Sequence, residues 1–70
     1  MWVVWNDDNE FVRRKTKREC LEVVKNIKLV EVVKCRKVVD IGYEVIGLDL
    51  YISKLDYFLE NFPWIKSRDV

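Results

Sequence analysis

The chain contains no histidine, alanine or glutamine, only two glycines, one proline and two cysteines, and no long uninterrupted apolar run. Without histidine it lacks the usual general base of neutral pH. Two cysteines cannot supply the four nitrogen or sulfur ligands of a structural zinc site, so no complete zinc site forms within one chain. There is no glycine-rich phosphate loop, no nucleophile elbow and no metal-ligand spacing. The pattern therefore predicts no enzyme, no cofactor and no metal. No stretch is apolar for long enough to span a bilayer, and Met1 to Trp5 is too short for a signal peptide, so the expectation is a soluble cytoplasmic protein without membrane contact. In that compartment Cys20 and Cys35 are expected as buried free thiols, which behave as small hydrophobes. Missing glutamine beside many lysines, glutamates and arginines leans toward a thermophilic source.

What is present is a chain of 70 residues, half of them hydrophobic and 36% charged, with a formal net charge of +1. This composition predicts one folded domain over residues 1–70, with a loose tail over residues 66–70. A core this small gains from burial against a partner or a second copy, so a homo-oligomer is expected. The near-zero net charge means that nucleic acid could be attracted only by a local patch.

Trp2 to Trp5 and residues 10–14 read as strands of a hairpin, with Asn6-Asp7-Asp8-Asn9 as its turn. Thr16 followed by Glu19 is a capping box opening a helix that buries Cys20, Leu21, Val24 and Ile27 and ends near Asn26. Residues 29–39 and 43–52 read as a long hairpin turning at Asp40-Ile41-Gly42, with bulges where the alternation slips at Val32-Val33 and Val45-Ile46. Ser53 with Asp56 suggests a second helix start, and Leu55, Phe58, Leu59 and Phe62 form its buried stripe until Pro63 stops it. Trp64 and Ile65 then fold back as an apolar latch. The expected fold is α+β: a two-layer sandwich in the order ββαββα, with a four-stranded antiparallel sheet covered by helices on one face. The alternative is a ferredoxin-like βαββαβ fold, with a last strand over 64–69.

Five of the six residues from Arg13 to Arg18 are cationic. Arg13, Arg14, Lys15, Lys17 and Arg18 are the candidate contacts to a partner or to phosphate, placed beside a helix N-terminus. Arg36, Lys37 and Lys34 form a smaller second patch. Arg13 and Arg14 also suit protection of an edge strand. The acidic residues Asp7, Asp8 and Glu10 read as turn residues near the patch, and Asp40, Glu44 and Asp49 as the exposed side of a hairpin. Cys20, near a helix start, belongs to the core face and reads as inert packing.

The hairpin followed by Lys15-Thr16-Lys17-Arg18-Glu19-Cys20-Leu21 resembles the sheet-then-helix pattern of integrase arm-binding domains, which read DNA with their sheet. It lacks their third strand before the helix and has Cys20 where they commonly carry alanine. The pattern is common among small α+β proteins, and no family is assigned on it.

Aromatic residues give a second lead. Trp2, Trp5, Tyr43, Tyr51 and Trp64 are candidate interface residues, since Trp, Tyr and Arg dominate protein-interface hot spots. The same rings could stack bases beside a basic patch. The expected function is that of a small non-enzymatic accessory, regulatory or inhibitor protein acting through protein-protein interaction, with a viral or mobile-element origin conceivable. Nucleic-acid binding by residues 13–18 is the alternative.

Overall fold

The computed structural model describes residues 1–66. Strand β1 (Trp2–Trp5) and strand β2 (Glu10–Arg14) form the first hairpin, followed by helix α1 (Lys17–Lys28). Three strands follow, β3 (Cys35–Val38), β4 (Gly42–Val45) and β5 (Leu50–Lys54), and then helix α2 (Leu55–Asn61). The fold is α+β with one antiparallel five-stranded sheet in the order β2-β1-β5-β4-β3. The element order is ββαβββα, so the expected four-stranded ββαββα arrangement is corrected. The ferredoxin-like alternative fails at Glu10–Arg14, which is strand. Its last strand over 64–69 lies partly outside the described residues.

The extra strand arises where the sequence shows a slip of alternation. Residues 46–49 form a turn in which Gly47 and Asp49 both have positive φ, at 83° and 53°. Glycine adopts that backbone freely and aspartate tolerates it better than most residues. The expected 43–52 strand thus folds back on itself as β4 and β5, paired Val45 to Leu50. No bulge forms at Val45-Ile46 or Val32-Val33. The bulge in this sheet lies in β2. Val4 pairs with Val12 and Trp5 with Glu10, which leaves Phe11 as the extra residue.

The helices lie on opposite faces of the sheet, not on one. Successive strand residues point to opposite sides. In β1, Val4 packs with Cys20 and Val24 of α1, whereas Val3 and Trp5 pack with Phe58 of α2. The molecule therefore has three layers with β1 and β5 central. The α1 layer adds Val12, Val45, Leu50 and Ile52, and the α2 layer adds Ile65.

Helix α1 starts as its sequence dictates. Thr16 is the N-cap, its Oγ1 accepting from the Glu19 backbone N–H at 3.1 Å. The helix runs past Asn26 to Lys28 and stops at Leu29, a left-handed residue with φ 55°. There the Val30 N–H donates to the Lys25 carbonyl, the closing bond of a left-handed helix stop. Ile27, expected in the core, is 61% exposed, at the rim of a shallow depression beside Phe11 and Val23 near the helix end.

Helix α2 does not start at Ser53. Ser53 belongs to β5, and the N-cap is Lys54 with no side-chain cap bond. The helix is anchored instead by the Leu55 N–H donating to the Met1 carbonyl at 3.0 Å. Phe58 is buried and Phe62 half-buried, but Leu59 points outward. The latch is split: Ile65 is buried, while Trp64 is 72% exposed and meets the Phe62 ring edge-on. Lys66 is tied in by its carbonyl, which accepts from the Glu10 N–H. The rest of the expected loose tail, 67–70, lies outside the described residues. No helix among the described residues is long and apolar enough to cross a membrane.

Candidate functional site: an aromatic and lysine-lined end of the sheet

The basic cluster does not act as one patch, because strand alternation sends Arg13 and Arg14 to opposite faces, and the bulge at Phe11 brings Glu10 onto the Arg13 side. Paired residues in a sheet share a face, so Glu10, opposite Trp5, and Arg13, opposite Val3, both point to the α2 side. There they form a bidentate pair at 2.5 and 3.1 Å, with the Glu10 side chain fully buried. Arg13 thereby joins the fold as partner to a buried carboxylate. Arg14, opposite Trp2, points to the α1 side and donates to the Arg13 carbonyl. Lys17 lies over the Tyr43 ring at 3.7 Å from its centroid, a cation-π contact. Arg14, Lys15 and Arg18 are exposed.

The aromatic candidates also divide. Trp5 is 2% exposed and sits at the centre of the α2 layer, 4.8 Å from the Tyr51 ring, 5.4 Å from Phe58 and 4.5 Å from Phe62. A side chain enclosed in this way packs the core and presents no surface. Tyr51 is half-buried beside it. Trp2 and Tyr43 lie together on the α1 side, their ring centroids 6.2 Å apart, with Lys54 Nζ 5.9 Å from the Trp2 centroid.

These last residues belong to a cleft that the sequence did not reveal. The pairings Trp2 to Lys54 and Val38 to Gly42 place the start of β1, the end of β5 and the β3–β4 turn at one end of the sheet. A cleft of about 440 Å³ opens there, walled by Trp2, Val38, Ile41, Tyr43 and Tyr57 and flanked by Lys37, Lys54 and Asp40. That volume falls in the range of ordinary ligand pockets, about 300–1,000 Å³. Its wall is held from below by a buried polar relay. Trp5 Nε1–H donates to Ser53 Oγ at 3.0 Å, and the Ser53 hydroxyl donates to the Ile41 carbonyl in the turn. Gly42, with φ 123°, lets the turn press against β5, because a Cβ there would stand 2.7 Å from the Ile52 carbonyl oxygen.

Ser53 was legible as a polar residue after an apolar strand, which is also how a helix cap looks. Only the pairing of β1 with β5 shows it as the hinge pin of the cleft. Of the second patch, Arg36 and Lys37 sit on the outer strand β3, where Arg36 pairs with Glu44 and Lys37 reaches the cleft, and Lys34 precedes the strand.

Both cysteines are free. Burial pushes the Cys20 thiol pKa up, opposed by a hydrogen bond with the Arg14 backbone and the Arg14 charge. Burial also raises that of Cys35, opposed by Lys17. Neither thiol is primed as a nucleophile. Among the described residues no group of three or more cysteine or acidic side chains is close enough together to hold a metal ion. Compared with protein-family models, with curated proteins and with solved structures, the chain matches none.

Proposed function

We propose that the protein is a small cytoplasmic, non-enzymatic docking protein that acts through protein-protein contacts, including self-association, in an accessory, regulatory or inhibitory role. The observation that carries this reading is the amount of large apolar side chain left outside the core. Leu29 is 90% exposed, Val39 82%, Trp64 72% and Ile27 61%. Phe11, turned to the α1 side by its bulge, borders the same shallow depression as Val23 and Ile27. A chain this small gains stability when such surface is covered. The free thiols agree with a reducing compartment.

Nucleic-acid binding is the second reading, supported by Arg14, Lys15 and Arg18, which stay exposed and form no ion pair among the described residues. It is disfavoured by the diversion of Arg13 to Glu10 and of Lys17 to Tyr43.

Sedimentation at concentrations up to tens of micromolar, in moderate and in high salt, tests the docking reading. The expected result is a species larger than the monomer that survives high salt, since apolar burial is not screened. A monomer under all conditions, together with tight DNA or RNA binding that weakens steeply with salt and disappears in the Arg14→Glu/Arg18→Glu double variant, would overturn the ranking.

A further inference from the structure

The cleft at the end of the sheet combines three features. Its walls are apolar and aromatic, its flanks carry Lys37 and Lys54, and its turn is held by the Trp5–Ser53–Ile41 relay. Lys37 is exposed and forms no ion pair among the described residues. Lys54 is likewise exposed, and its described partner is the Trp2 ring. Asp40 is the acidic residue of the lining, and it occupies a positive-φ turn position at 68° that suits aspartate or asparagine. The charges therefore favour an anionic occupant, and the walls favour an apolar one.

Resting on the docking function proposed above, we propose that this cleft receives an acidic segment of a protein partner, an aromatic anchor entering between Trp2 and Ile41 while flanking carboxylates meet Lys37 and Lys54. The recognition scheme is a buried anchor within a charged rim. The anchor supplies most of the affinity, and the rim charges select acidic partners and speed encounter. Because the relay fixes the β3–β4 turn, little ordering of the cleft is required on binding.

The test uses the whole chain, isotope-labelled for amide and indole NMR, with a capped pentapeptide in which one phenylalanine is flanked on each side by two aspartates. Expected are saturable shifts at the Trp2 indole and at the Val39 and Gly42 amides. The peptide with asparagine in place of aspartate should bind more weakly. The Lys37→Glu/Lys54→Glu variant should lose on the order of tenfold in affinity, from two exposed attractive contacts turned repulsive. Asp40→Asn should gain about twofold to threefold by removing a repulsive charge at a position asparagine also tolerates. Both variants change exposed side chains, and retention of the native amide spectrum shows that they fold.

Shifts confined to other residues, no shift at millimolar peptide, or equal affinity for the asparagine peptide would overturn the assignment. Tighter binding of a single-stranded oligothymidylate at the same resonances would overturn it in favour of nucleic acid. If the chain self-associates but leaves the peptide unbound, the cleft assignment fails and the broader docking function stands. If a strictly monomeric chain binds the peptide in the cleft, self-association fails and the cleft assignment stands.

Discussion

The two faces of the sheet are stabilised in different ways. The buried core of the α1 face is aliphatic, built on Val4, Val12, Val24, Leu50 and Ile52, with Trp2 and Tyr43 at its margin, and its helix has twelve residues, a side-chain N-cap and a defined stop. The α2 face is aromatic, built on Trp5, Phe58 and Phe62, and its helix has seven residues and no side-chain cap. A helix of that length has almost no stability of its own in water, because nucleation is unfavourable and few bonds follow. Helix α2 is therefore held by tertiary contacts, whereas α1 brings local signals to the fold. Damage to the aromatic face should be more costly than damage to the signals of α1.

The largest effect should come from Phe58→Ala. Removing a fully buried ring from beneath Trp5 should cost about 3–5 kcal/mol in urea unfolding. In a small domain this is enough to threaten folding. Ser53→Ala comes next, at about 1–3 kcal/mol, since it strands the buried Trp5 indole N–H and leaves the Ile41 carbonyl without its donor. A change in Trp5 fluorescence should accompany it. On the other face, Thr16→Ala should cost about 1 kcal/mol by removing the cap bond to Glu19. If Thr16→Ala proved more damaging than Phe58→Ala, the contrast between the faces would be wrong.

Two smaller effects sharpen the contrast. Leu29 holds a left-handed conformation normally given to glycine while its side chain is almost fully exposed. Leu29→Gly should therefore stabilise the isolated chain by about 0.5–1 kcal/mol, as relief of strain outweighs glycine's added chain entropy. A drop in stability would show that the Leu29 side chain is covered, as by a second copy in solution.

The thiols give a pH dependence. Burial raises the Cys20 and Cys35 pKa values above their ordinary value of 9.0, so the unfolded chain loses these protons first. Above that pH the folded state binds more protons than the unfolded state, and stability falls as pH rises. The decline should be shallower in Cys20→Ala, measured as unfolding midpoint against pH, even though the variant starts from a lower stability.

The sequence was most informative where the determinant is local. The Asn6 turn forms as its residues indicate, with Asn6 Oδ1 accepting from the Asp8 and Asn9 N–H groups at 2.8 and 2.9 Å. At Thr16 the N-cap half of the expected capping box likewise forms, while the Glu19 carboxylate accepts from the Thr16 hydroxyl rather than from its backbone N–H. Between Leu29 and Lys54 local signals were ambiguous. Gly47 inside an alternating run suits a bulge or a turn, and Ser53 suits a cap or a buried strand position. The choice in each case depends on which strand lies alongside. The candidate site was legible only in fragments. Trp2 and Tyr43 stood out as surplus aromatics and Lys17 as part of a cluster, but they are fifteen or more positions apart in the chain.

By itself the sequence determined the α+β class, the first hairpin, the start of α1 and the stop at Pro63, because turns, caps and proline act through covalent geometry and hydrogen bonds within a few residues. The tertiary structure alone decided that the helices lie on opposite faces, that Phe11 is the extra residue of a bulge, that Arg13 serves Glu10, and that Trp2, Lys54 and the Ile41 turn enclose a cleft. Those outcomes follow from the register of β1 against β2 and β5. Register is a long-range choice, and a shift of one residue moves every later side chain to the other face of the sheet.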